Sequence, residues 1–519
     1  MEENGDQGYL VVGGGIAGST CAIELLRLSP SSKVTLVSPS PTIKTLQDVE
    51  QLTPLIGLVE AEDRSQGGFA ADHPGVVLVC DEVEVVDTTR NLAKLAKGGM
   101  FHFSRCCVAT GASPALAFSH PRVFGIRDTE SVENLNKRLV DATVVLVVGN
   151  GGIAMELVHS LVSKQTCQVV WAVRSKYIGN TFFDASASAF FLQNVAKKEI
   201  PRSRGTGEAV AAKKMSSVGP DWTFQGGGKQ EPDATKARSP ESFLDIQFEC
   251  ELGDVRDGEG SSPVSATLTN GVCVEADFVV SATGVMPITS VVSSEFERGH
   301  DGGLCVDETM RIVRSRPTTR GGGTRVEENT CAVFAAGDCC CMGWPQQERR
   351  DNSWFQVRIW RQARESGLYA AQCMADSVDE LGSRGAFDLF VHATQFFGYQ
   401  VALLGRFNGQ GLGASIENVV GSHDLEMDVN GSAPPQCHHE AIHINKGSSH
   451  IQVLIRTTPG LEYIKASVIV VDGRLRGAML VGDTSLAETF ENLILSSTDV
   501  STLGDELLSR EIDIEDFFD

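Results

Sequence analysis

The sequence predicts an α/β protein with two Rossmann-like dinucleotide-binding domains and a C-terminal α+β domain. A Gly-rich turn stands between a Val-rich strand and a helix twice, at residues 9–28 and 144–161. The length of 519 residues is too great for one core. We expect residues 1–142 and 288–385 to form the first dinucleotide-binding domain, residues 143–287 the second, and residues 386–519 the C-terminal domain.

Composition and charge exclude several classes of protein. The formal net charge is −23, which disfavours direct binding to the nucleic acid backbone. The sequence has no apolar run of about 18 residues and no secretory leader pattern, so we expect no membrane span. The 14 cysteines are scattered, which is typical of reduced thiols in a cytoplasmic and nuclear protein.

The first Gly-rich turn has the spacing of a dinucleotide fingerprint. Gly13 permits a tight turn, Gly15 lets the backbone approach a pyrophosphate, and Gly18 allows close packing of helix on strand. The helix N-terminus then faces the phosphate charge. The alternative is a turn without a ligand. The predicted binding segment is Gly13, Gly14, Gly15, Ile16, Ala17 and Gly18.

The strand after this helix, KVTLVS, ends at Ser38. A carboxylate that binds the adenosine ribose usually stands there, about 20 residues after the glycines. Asp48 and Glu50 lie too far along the chain to replace it. We therefore assign the ribose contact to Ser38, although a hydroxyl is a weaker partner.

The second Gly-rich turn predicts a second dinucleotide site. Its binding segment is Gly149, Asn150, Gly151, Gly152, Ile153 and Ala154. The next strand ends in Arg174 and Lys176 rather than in an acid, and a guanidinium can accept a 2′-phosphate. The alternative is that both are solvated loop residues. The sequence slightly favours NADPH, and we expect NADH to be used as well.

Three further turns complete the pattern. The strand CAVFAA ends in Gly337-Asp338, which resembles the motif that holds the ribityl chain of FAD in flavoproteins with two dinucleotide domains. The helix after it, predicted over residues 353–377, would direct its N-terminus at the flavin. ATGASP (109–114) and ATGVMP (282–287) resemble the crossing points between the two domains, and add Thr110, Gly111 and Gly284 to the predicted cofactor contacts.

The order of these motifs resembles class I pyridine nucleotide–disulfide oxidoreductases over about residues 8–380. With IGNTFFD (178–184) and ENLILSS (491–497), the chain is similar over its full length to the pyridine nucleotide-disulphide oxidoreductase domain-containing protein 1 family. The resemblance implies FAD and NAD(P)H as cofactors. It implies a catalytic place for Glu156 near the nicotinamide and flavin. Lys44 is a further catalytic and flavin-side candidate, with a solvated lysine as the alternative. Residues 462–495 resemble the C-terminal domain of flavin subunits of nitrite reductases.

The redox-active dithiol that the family name implies is absent from the sequence positions where it is expected. A flavin-side CxxxxC would fall near residues 40–50, which contain no cysteine, and the sequence has no CxxC. Cys339 follows Asp338 but is predicted to be structural. We therefore expect electrons to pass from NAD(P)H to FAD and then to a small oxidant, to oxygen or to a partner.

The resemblance also implies a partner. The family is linked to protecting the catalytic subunit of the tRNA ligase complex from oxidative inactivation, with NAD(P)H. Two functions stay open: an oxidoreductase with a non-thiol acceptor, and a nicotinamide-dependent flavin-containing binding protein with little turnover. Residues 200–242 are predicted to be a flexible insertion, and the acidic residues 510–519 a docking peptide or a frayed end.

Overall fold

A computed structural model describes residues 8–127, 129–195, 243–258, 263–315, 330–345, 353–379, 385–410, 438–446, 449–458, 462–470, 473–509 and 514. The predicted insertion at 200–242 and the acidic tail, apart from residue 514, lie outside the described residues. No helix in the described ranges is long and apolar enough to cross a membrane.

Seven α-helices are described. They are α1 (Ile16–Leu28), α2 (Gln66–Asp72), α3 (Thr129–Leu139), α4 (Gly152–Ser163), α5 (Ala185–Val195), α6 (Trp360–Met374) and α7 (Ala487–Ser496).

The strands are short in the first two thirds of the chain and longer towards its end. Those before residue 150 are β1 (Tyr9–Val12), β2 (Val34–Val37), β3 (Thr42–Gln51), β4 (Gly57–Ser65), β5 (Val76–Val79), β6 (Val83–Asp87), β7 (Leu92–Leu95), β8 (Met100–His102), β9 (Arg105–Val108), β10 (Ala112–Pro114), β11 (Val123–Gly125) and β12 (Val144–Val148). The next are β13 (Gln168–Val173), β14 (Leu244–Phe248), β15 (Leu252–Asp257), β16 (Val264–Leu268), β17 (Cys273–Ala276), β18 (Phe278–Ser281), β19 (Val285–Pro287), β20 (Leu304–Val306), β21 (Val333–Ala335) and β22 (Cys340–Met342). The last are β23 (Val391–Phe396), β24 (Tyr399–Gly405), β25 (His438–Lys446), β26 (Ser449–Thr458), β27 (Glu462–Val470) and β28 (Arg474–Val481).

The chain divides into two compact units. The first comprises residues 1–49, 59–113 and 285–390, and the second comprises residues 50–58, 114–284 and 391–519. The boundaries predicted from the sequence at residues 142, 287 and 385 stay predictions, because compact units and evolutionary domains are different divisions of a chain.

The first unit is built on a parallel sheet in the order β21-β9-β1-β2-β5. Its central strand β1 is apolar along its length, as expected for a parallel strand that is covered on both faces. Helix α1 packs against α6 so closely that a β-carbon at Gly367 would lie 2.3 Å from the Ala17 carbonyl oxygen. The first unit also contains a three-stranded antiparallel sheet β6-β7-β8 and most of the hairpin β3-β4.

The second unit contains a parallel sheet in the order β11-β18-β12-β13-β14 and a six-stranded antiparallel sheet in the order β23-β24-β28-β27-β26-β25. Aromatic rings join the two layers. The Phe182 ring stacks on His392 at a centroid distance of 5.9 Å, and Phe183 meets Phe396 edge to face at 5.4 Å. The IGNTFFD stretch therefore anchors the C-terminal sheet to the second nucleotide-binding layer. The described sheets confirm the predicted fold class.

The helix predicted at residues 353–377 begins later than expected, at Trp360. The side chain of Gln356 accepts from the Met342 N–H at 2.8 Å and donates to the Cys340 carbonyl at 3.0 Å. These bonds hold residue 356 beside β22, so the chain cannot turn into a helix there. The element that directly follows Ala336 is a single 3-10 turn, Gly337–Cys339, and not the predicted helix N-terminus.

Candidate functional site

The first Gly-rich turn is closed by backbone contacts that only glycine permits. Gly13 has φ +115°, and a β-carbon there would lie 2.2 Å from the Ala109 carbonyl oxygen. A β-carbon at Gly18 would lie 1.9 Å from the Gly13 carbonyl oxygen. The turn, the strand β9 and the helix α1 therefore meet at van der Waals distance, as the sequence pattern requires.

Gly15 faces open space. It caps the N-terminus of α1 and has no atom within 4 Å of the position that a β-carbon would occupy. A glycine cap offers no side-chain acceptor, so the first N–H groups of α1 stay available to an anionic group. This cradle fits the pyrophosphate of FAD. Ile16 and Ala17 are buried in the same first turn.

Ser38 and Lys44 lie beside this cradle. A β-carbon at Gly14 would lie 2.7 Å from Ser38 Oγ. The Lys44 N–H donates to the Gly14 carbonyl at 2.9 Å, and Ser19 Oγ donates to the Lys44 carbonyl at 2.5 Å. The structure thus brings the predicted ribose contact and the predicted flavin-side lysine to one edge of the turn.

The ammonium of Lys44 forms an ion pair with Asp63 on β4 at 2.5 Å, and both side chains are about one quarter exposed. Sequence reasoning missed Asp63, because the pairing of β3 with β4 is not encoded in a local pattern. Any role of Lys44 beside the flavin involves this carboxylate as well, since the pair holds the ammonium on the hairpin.

The loop at Asp338 is held by two side chains. Gly337 has φ +74° and its N–H donates to Ser366 Oγ at 3.0 Å. Arg358 Nε donates to the Asp338 carbonyl at 3.0 Å. These bonds place Asp338 at the end of β21, in the same unit as the first cradle. This is the position from which the motif is expected to bind the ribityl chain.

The two predicted crossing points are ordered turns. Thr110 Oγ1 donates to the Ile288 carbonyl at 2.5 Å, and the Ile288 N–H donates to the Gly111 carbonyl at 2.9 Å. Gly111 and Gly284 have φ of +70° and +99°. The Gly284 carbonyl accepts from the Ala115 N–H at 2.9 Å. Thr110 and Gly111 belong to the first unit and Gly284 to the second.

Cys339 is a structural thiol, as the sequence predicted. Its side chain is fully buried, and Sγ donates to the Val108 carbonyl at 3.2 Å. Burial raises the pKa of Cys339 to about 11. Burial also raises the pKa of Cys340. These thiols are protonated at neutral pH and are poor nucleophiles.

The second Gly-rich turn repeats the geometry of the first. Gly149 has φ +140°, and a β-carbon there would lie 2.2 Å from the Ala282 carbonyl oxygen. Gly151 caps the N-terminus of α4, and the nearest atom to its β-carbon position is Thr181 Oγ1 at 4.0 Å. Trp171 Nε1 donates to the Gly149 carbonyl at 2.8 Å. This cradle fits the pyrophosphate of NAD(P)H.

The other residues of this turn lie on the first turn of α4. Gly152 and Ala154 are buried and Ile153 is half-buried. The Glu156 carboxylate is buried on the same helix, one turn beyond Gly152. This is the helix on which the resemblance implies a glutamate near the nicotinamide and flavin, and that role stays a prediction.

The Asn150 side chain fastens the IGNTFFD loop to the second turn. Its Oδ1 accepts from the Gly179 N–H at 2.5 Å, and its Nδ2 donates to the Tyr177 carbonyl at 2.9 Å and to Asn180 Oδ1 at 3.1 Å. The side chain predicted to bind the cofactor therefore acts first as a support for the loop beside it.

Arg174 and Lys176 are exposed after β13. The Arg174 guanidinium lies 3.6 Å from the Glu251 carboxylate, and the two side chains are 76% and 57% exposed. An exposed pair of this kind is weak. A 2′-phosphate would have to compete with Glu251 for Arg174, a feature that the sequence pattern did not reveal.

The predicted residues thus form two groups, one in each unit. Among the residues that the structure describes, no cluster of three or more His, Cys, Asp or Glu side chains is suited to a metal ion. The partners that sequence reasoning missed (Asp63, Arg358, Ser366, Trp171 and Glu251) are distant in sequence from the residues they contact, so no local signal marks them.

Comparison with known proteins agrees with this geometry. Residues 8–220 match the family model described as pyridine nucleotide-disulphide oxidoreductase. Proteins called pyridine nucleotide-disulfide oxidoreductase domain-containing protein 1 are similar over nearly the whole chain. The human protein is 34% identical over 98% of both chains, and the zebrafish (Danio rerio) protein is 35% identical over 98% of this chain and 97% of its own. The Dictyostelium discoideum protein is 30% identical over 98% and 99%.

Solved structures share the fold at low sequence identity. A ferredoxin reductase from Rhodopseudomonas palustris has a TM-score of 0.64 at 14% identity, and covers 98% of this chain and 99% of its own. Putidaredoxin reductase, in its covalent complex with putidaredoxin, has a TM-score of 0.62 at 14% identity over 99% of both chains.

The full-length relatives and the two cradles lead to one conclusion. FAD and NAD(P)H are the cofactors of this class of oxidoreductase, and both predicted cofactors are confirmed. The chain belongs to the pyridine nucleotide-disulfide oxidoreductase domain-containing protein 1 family, a family of NAD(P)H-dependent flavin oxidoreductases.

Proposed function

We propose that this protein is a FAD-dependent NAD(P)H oxidoreductase in which electrons leave the flavin without passing through a dithiol beside the first Gly-rich turn. The observation that carries the proposal is the chemistry of the segment after that turn. Strand β3, which occupies the place where a flavin-side CxxxxC would lie, contains Lys44 and Asp48 and no cysteine. Its charged side chains pair with Asp63 and Arg364, so the strand presents ion pairs and not thiols.

The thiols close to the Asp338 loop support the same proposal, that electrons do not leave the flavin through a thiol. Cys339 and Cys340 are fully buried, and Cys340 Sγ donates to the Gly337 carbonyl at 3.1 Å. Burial raises the pKa of both. A thiol exchanges electrons as a thiolate, so neither group is suited to relay them.

The chain's own residues have positioning roles. Gly15 and Gly151 leave room for two pyrophosphates at helix N-termini. Ser38 is proposed to contact the adenosine ribose, and Arg174 a 2′-phosphate. FAD, when bound, accepts a hydride from NAD(P)H and passes the two electrons to an acceptor. Glu156 and Lys44 are proposed to orient the reacting groups.

Replacing the buried thiol tests the electron path. We expect Cys339→Ser, in FAD-loaded protein, to keep the rate at which an added acceptor reoxidises the NADH-reduced flavin within about threefold, since a positioning change of less than 1 kcal/mol has that effect. Stopped-flow absorbance of the flavin band measures it. A loss of flavin reoxidation in a variant that keeps its FAD and its melting temperature would contradict the proposal.

We also propose, from the family to which the chain belongs, that the protein protects the catalytic subunit of a tRNA ligase complex from oxidative inactivation. The two intact cradles support a role that depends on NAD(P)H. The net charge of −23 favours contact with the protein partner over contact with RNA. We place the protein in the cytoplasm and nucleus, to be checked by fractionation.

The test is ligase activity after incubation in air. We expect activity to persist only when this protein and NADH or NADPH are both present. Gly151→Ala, which fills the second cradle, should remove the protection, and Gly67→Ala should keep it, because Gly67 lies in α2 with open space around it. Equal loss of ligase activity with and without the protein would contradict this proposal.

A nicotinamide-dependent binding protein with little turnover is the second candidate, and Asn150 favours it. Its three bonds brace the loop beside the second cradle, which suits a nucleotide that is held for a long time. After anaerobic reduction, admission of air separates the two functions. Prompt recovery of the flavin absorption indicates turnover, and bleaching that persists indicates the binding role.

A further inference from the structure

Two cysteines that are far apart in sequence are neighbours in the first unit. Strands β20 and β22 form a two-stranded parallel sheet in which Cys305 stands directly opposite Cys341. The residues on either side of each cysteine are buried, whereas both cysteines are half-buried. Side chains alternate between the faces of a strand. The two thiols therefore share the outer face of this sheet.

The two thiols are close neighbours, because each cysteine influences the pKa of the other. Paired strands lie about 4.8 Å apart, and a disulfide needs a Cα separation of about 4.4–6.8 Å. Residues directly opposite in register thus meet the Cα requirement. Gly299 leaves the space around the pair open, because a β-carbon there would lie 2.5 Å from Cys341 Sγ.

We propose that Cys305 and Cys341 form a reversible dithiol–disulfide site that a hydroperoxide oxidises, and that its state is transmitted to the FAD-binding loop at Asp338. This site is separate from the electron path of the proposed function, because it lies on β20 and β22 and not on the segment that follows the first Gly-rich turn.

The chemistry balances with hydrogen peroxide as the oxidant. The Cys341 thiolate attacks one peroxide oxygen, the O–O bond breaks, and a sulfenic acid and hydroxide form, which takes up a proton to become water. The Cys305 thiol then displaces water from that sulfenic acid and the S–S bond forms. Two thiol hydrogens and one peroxide yield two waters, so the sulfur atoms lose two electrons in total.

The surroundings decide which cysteine attacks. Burial, together with the neighbouring Cys341, Glu297 and Asp301, raises the pKa of Cys305 to about 12. Burial and Asp301 also raise the pKa of Cys341, but Arg358 and the Cys305 thiol oppose this. Cys341 is therefore the attacking sulfur and Cys305 the resolving one. The raised pKa values make the reaction slow, as suits a site that responds only to sustained oxidant.

A chain of contacts connects the pair to the flavin loop. Asp301 lies beside Cys341, and its Oδ2 accepts from Arg358 Nη2 at 2.5 Å. The same guanidinium donates from Nε to the Asp338 carbonyl at 3.0 Å. Formation of the disulfide replaces the Cys341 thiol beside Asp301 by a disulfide sulfur, which draws Sγ towards Cys305 and changes the surroundings of the Asp301 carboxylate. The Asp301 carboxylate, which holds Arg358, is thereby shifted. Arg358 moves with it and displaces the Asp338 loop.

Peptide mapping of the FAD-loaded protein tests the site. The protein is treated with hydrogen peroxide, free thiols are alkylated, and the digest is examined by mass spectrometry. We expect a peptide containing Cys305 joined to one containing Cys341, lighter by two hydrogens than their sum, which disappears after dithiothreitol. Cys341→Ser and Cys305→Ser should abolish it. Cys273→Ser, which changes an exposed cysteine on β17, should keep it.

FAD release measures the coupling. Flavin fluorescence after dilution should show a several-fold faster release from the oxidised wild type than from the reduced protein, and no such difference in Cys305→Ser. Failure to form the Cys305–Cys341 link would overturn the site, and a link without faster release would overturn its coupling to Asp338. Neither result depends on turnover with NAD(P)H, so the proposed function can fail or hold independently.

Discussion

At the scale of single residues, a substitution of Gly15 is expected to weaken cofactor binding without affecting folding. A β-carbon there meets no protein atom within 4 Å, so Gly15→Ala should fold normally. The added methyl group would occupy the space that the FAD pyrophosphate approaches. We expect at least about a tenfold loss of FAD affinity, or 1.4 kcal/mol. The ratio of flavin to protein absorbance after gel filtration measures it, with Gly67→Ala as the control. Equal FAD content in the two variants would contradict the assignment.

Asn150 is expected to act on nucleotide binding through the loop that it braces. Asn150→Ala removes three hydrogen bonds to residues 177–180, and should raise KM for NADH and NADPH more than it lowers kcat. We expect a loss of stability of about 1–3 kcal/mol, because the partner groups lose their bonds. Asn150→Asp keeps the acceptor for the Gly179 N–H, so its KM and its stability should lie between those of the wild type and of Asn150→Ala. An unchanged KM in Asn150→Ala would refute the bracing role.

The burial of the His159 ring predicts that the protein loses stability in acid. Burial lowers the pKa of His159 to about 4, from an ordinary value of 6.5. Its ring stands edge to face on Phe397, and within the described ranges its Nδ1 has no hydrogen-bond partner. The unfolded chain binds a proton between pH 6.5 and 4 that the folded chain does not. Unfolding free energy should therefore fall as pH drops through this window, by up to about 3 kcal/mol.

Urea unfolding at several pH values checks this. His159→Gln should flatten the profile between pH 6.5 and 4, and His102→Gln, which changes an exposed ring, should leave it as in the wild type. A His159→Gln profile as steep as that of the wild type would assign the acid sensitivity to other groups.

At the scale of elements, the tip of the hairpin β3-β4 is held by helix α7 within the second unit. The Glu491 carboxylate is buried, and accepts from the Thr53 hydroxyl and from the Leu55 N–H. Glu491→Ala removes the acceptor of the buried Thr53 hydroxyl and of the half-buried Leu55 N–H, so we expect a loss of about 2–4 kcal/mol. Glu488→Ala, in the first turn of the same helix, is the matched control. Thermal denaturation compares them, and an equal melting temperature would disprove the anchoring.

The elements show which parts of the fold are readable from the sequence. Strands β1 and β12 and helices α1 and α4 were predicted because their Gly-rich turns and apolar runs are local. The start of α6 was wrong, because the bonds from Gln356 to β22 are tertiary. The contact of Cys305 with Cys341 was missed for the same reason, since strand register is set by the assembled sheet.

At the scale of the whole molecule, the predicted site residues divide between two units, each with its own parallel sheet and cradle. The glycines, Ser38 and Asp338 were predicted from motifs, because a pyrophosphate and a ribityl chain need fixed backbone shapes. Side-chain partners such as Asp63 and Glu251 follow from tertiary packing and were not predictable. The cofactors are therefore predictable from the sequence, whereas the side chains that support their sites are not.

Anaerobic titration of the FAD-loaded Cys305→Ser variant with NADH tests the central claim most directly. The substitution eliminates the proposed Cys305–Cys341 disulfide, so this pair cannot accept electrons during the titration. If electrons go no further than the flavin, one equivalent of NADH per FAD should bleach the flavin absorption completely, because each NADH supplies two electrons. A requirement for two equivalents would reveal a second two-electron centre, and absence of bleaching would show that NADH does not reach the flavin. Either result would contradict the account.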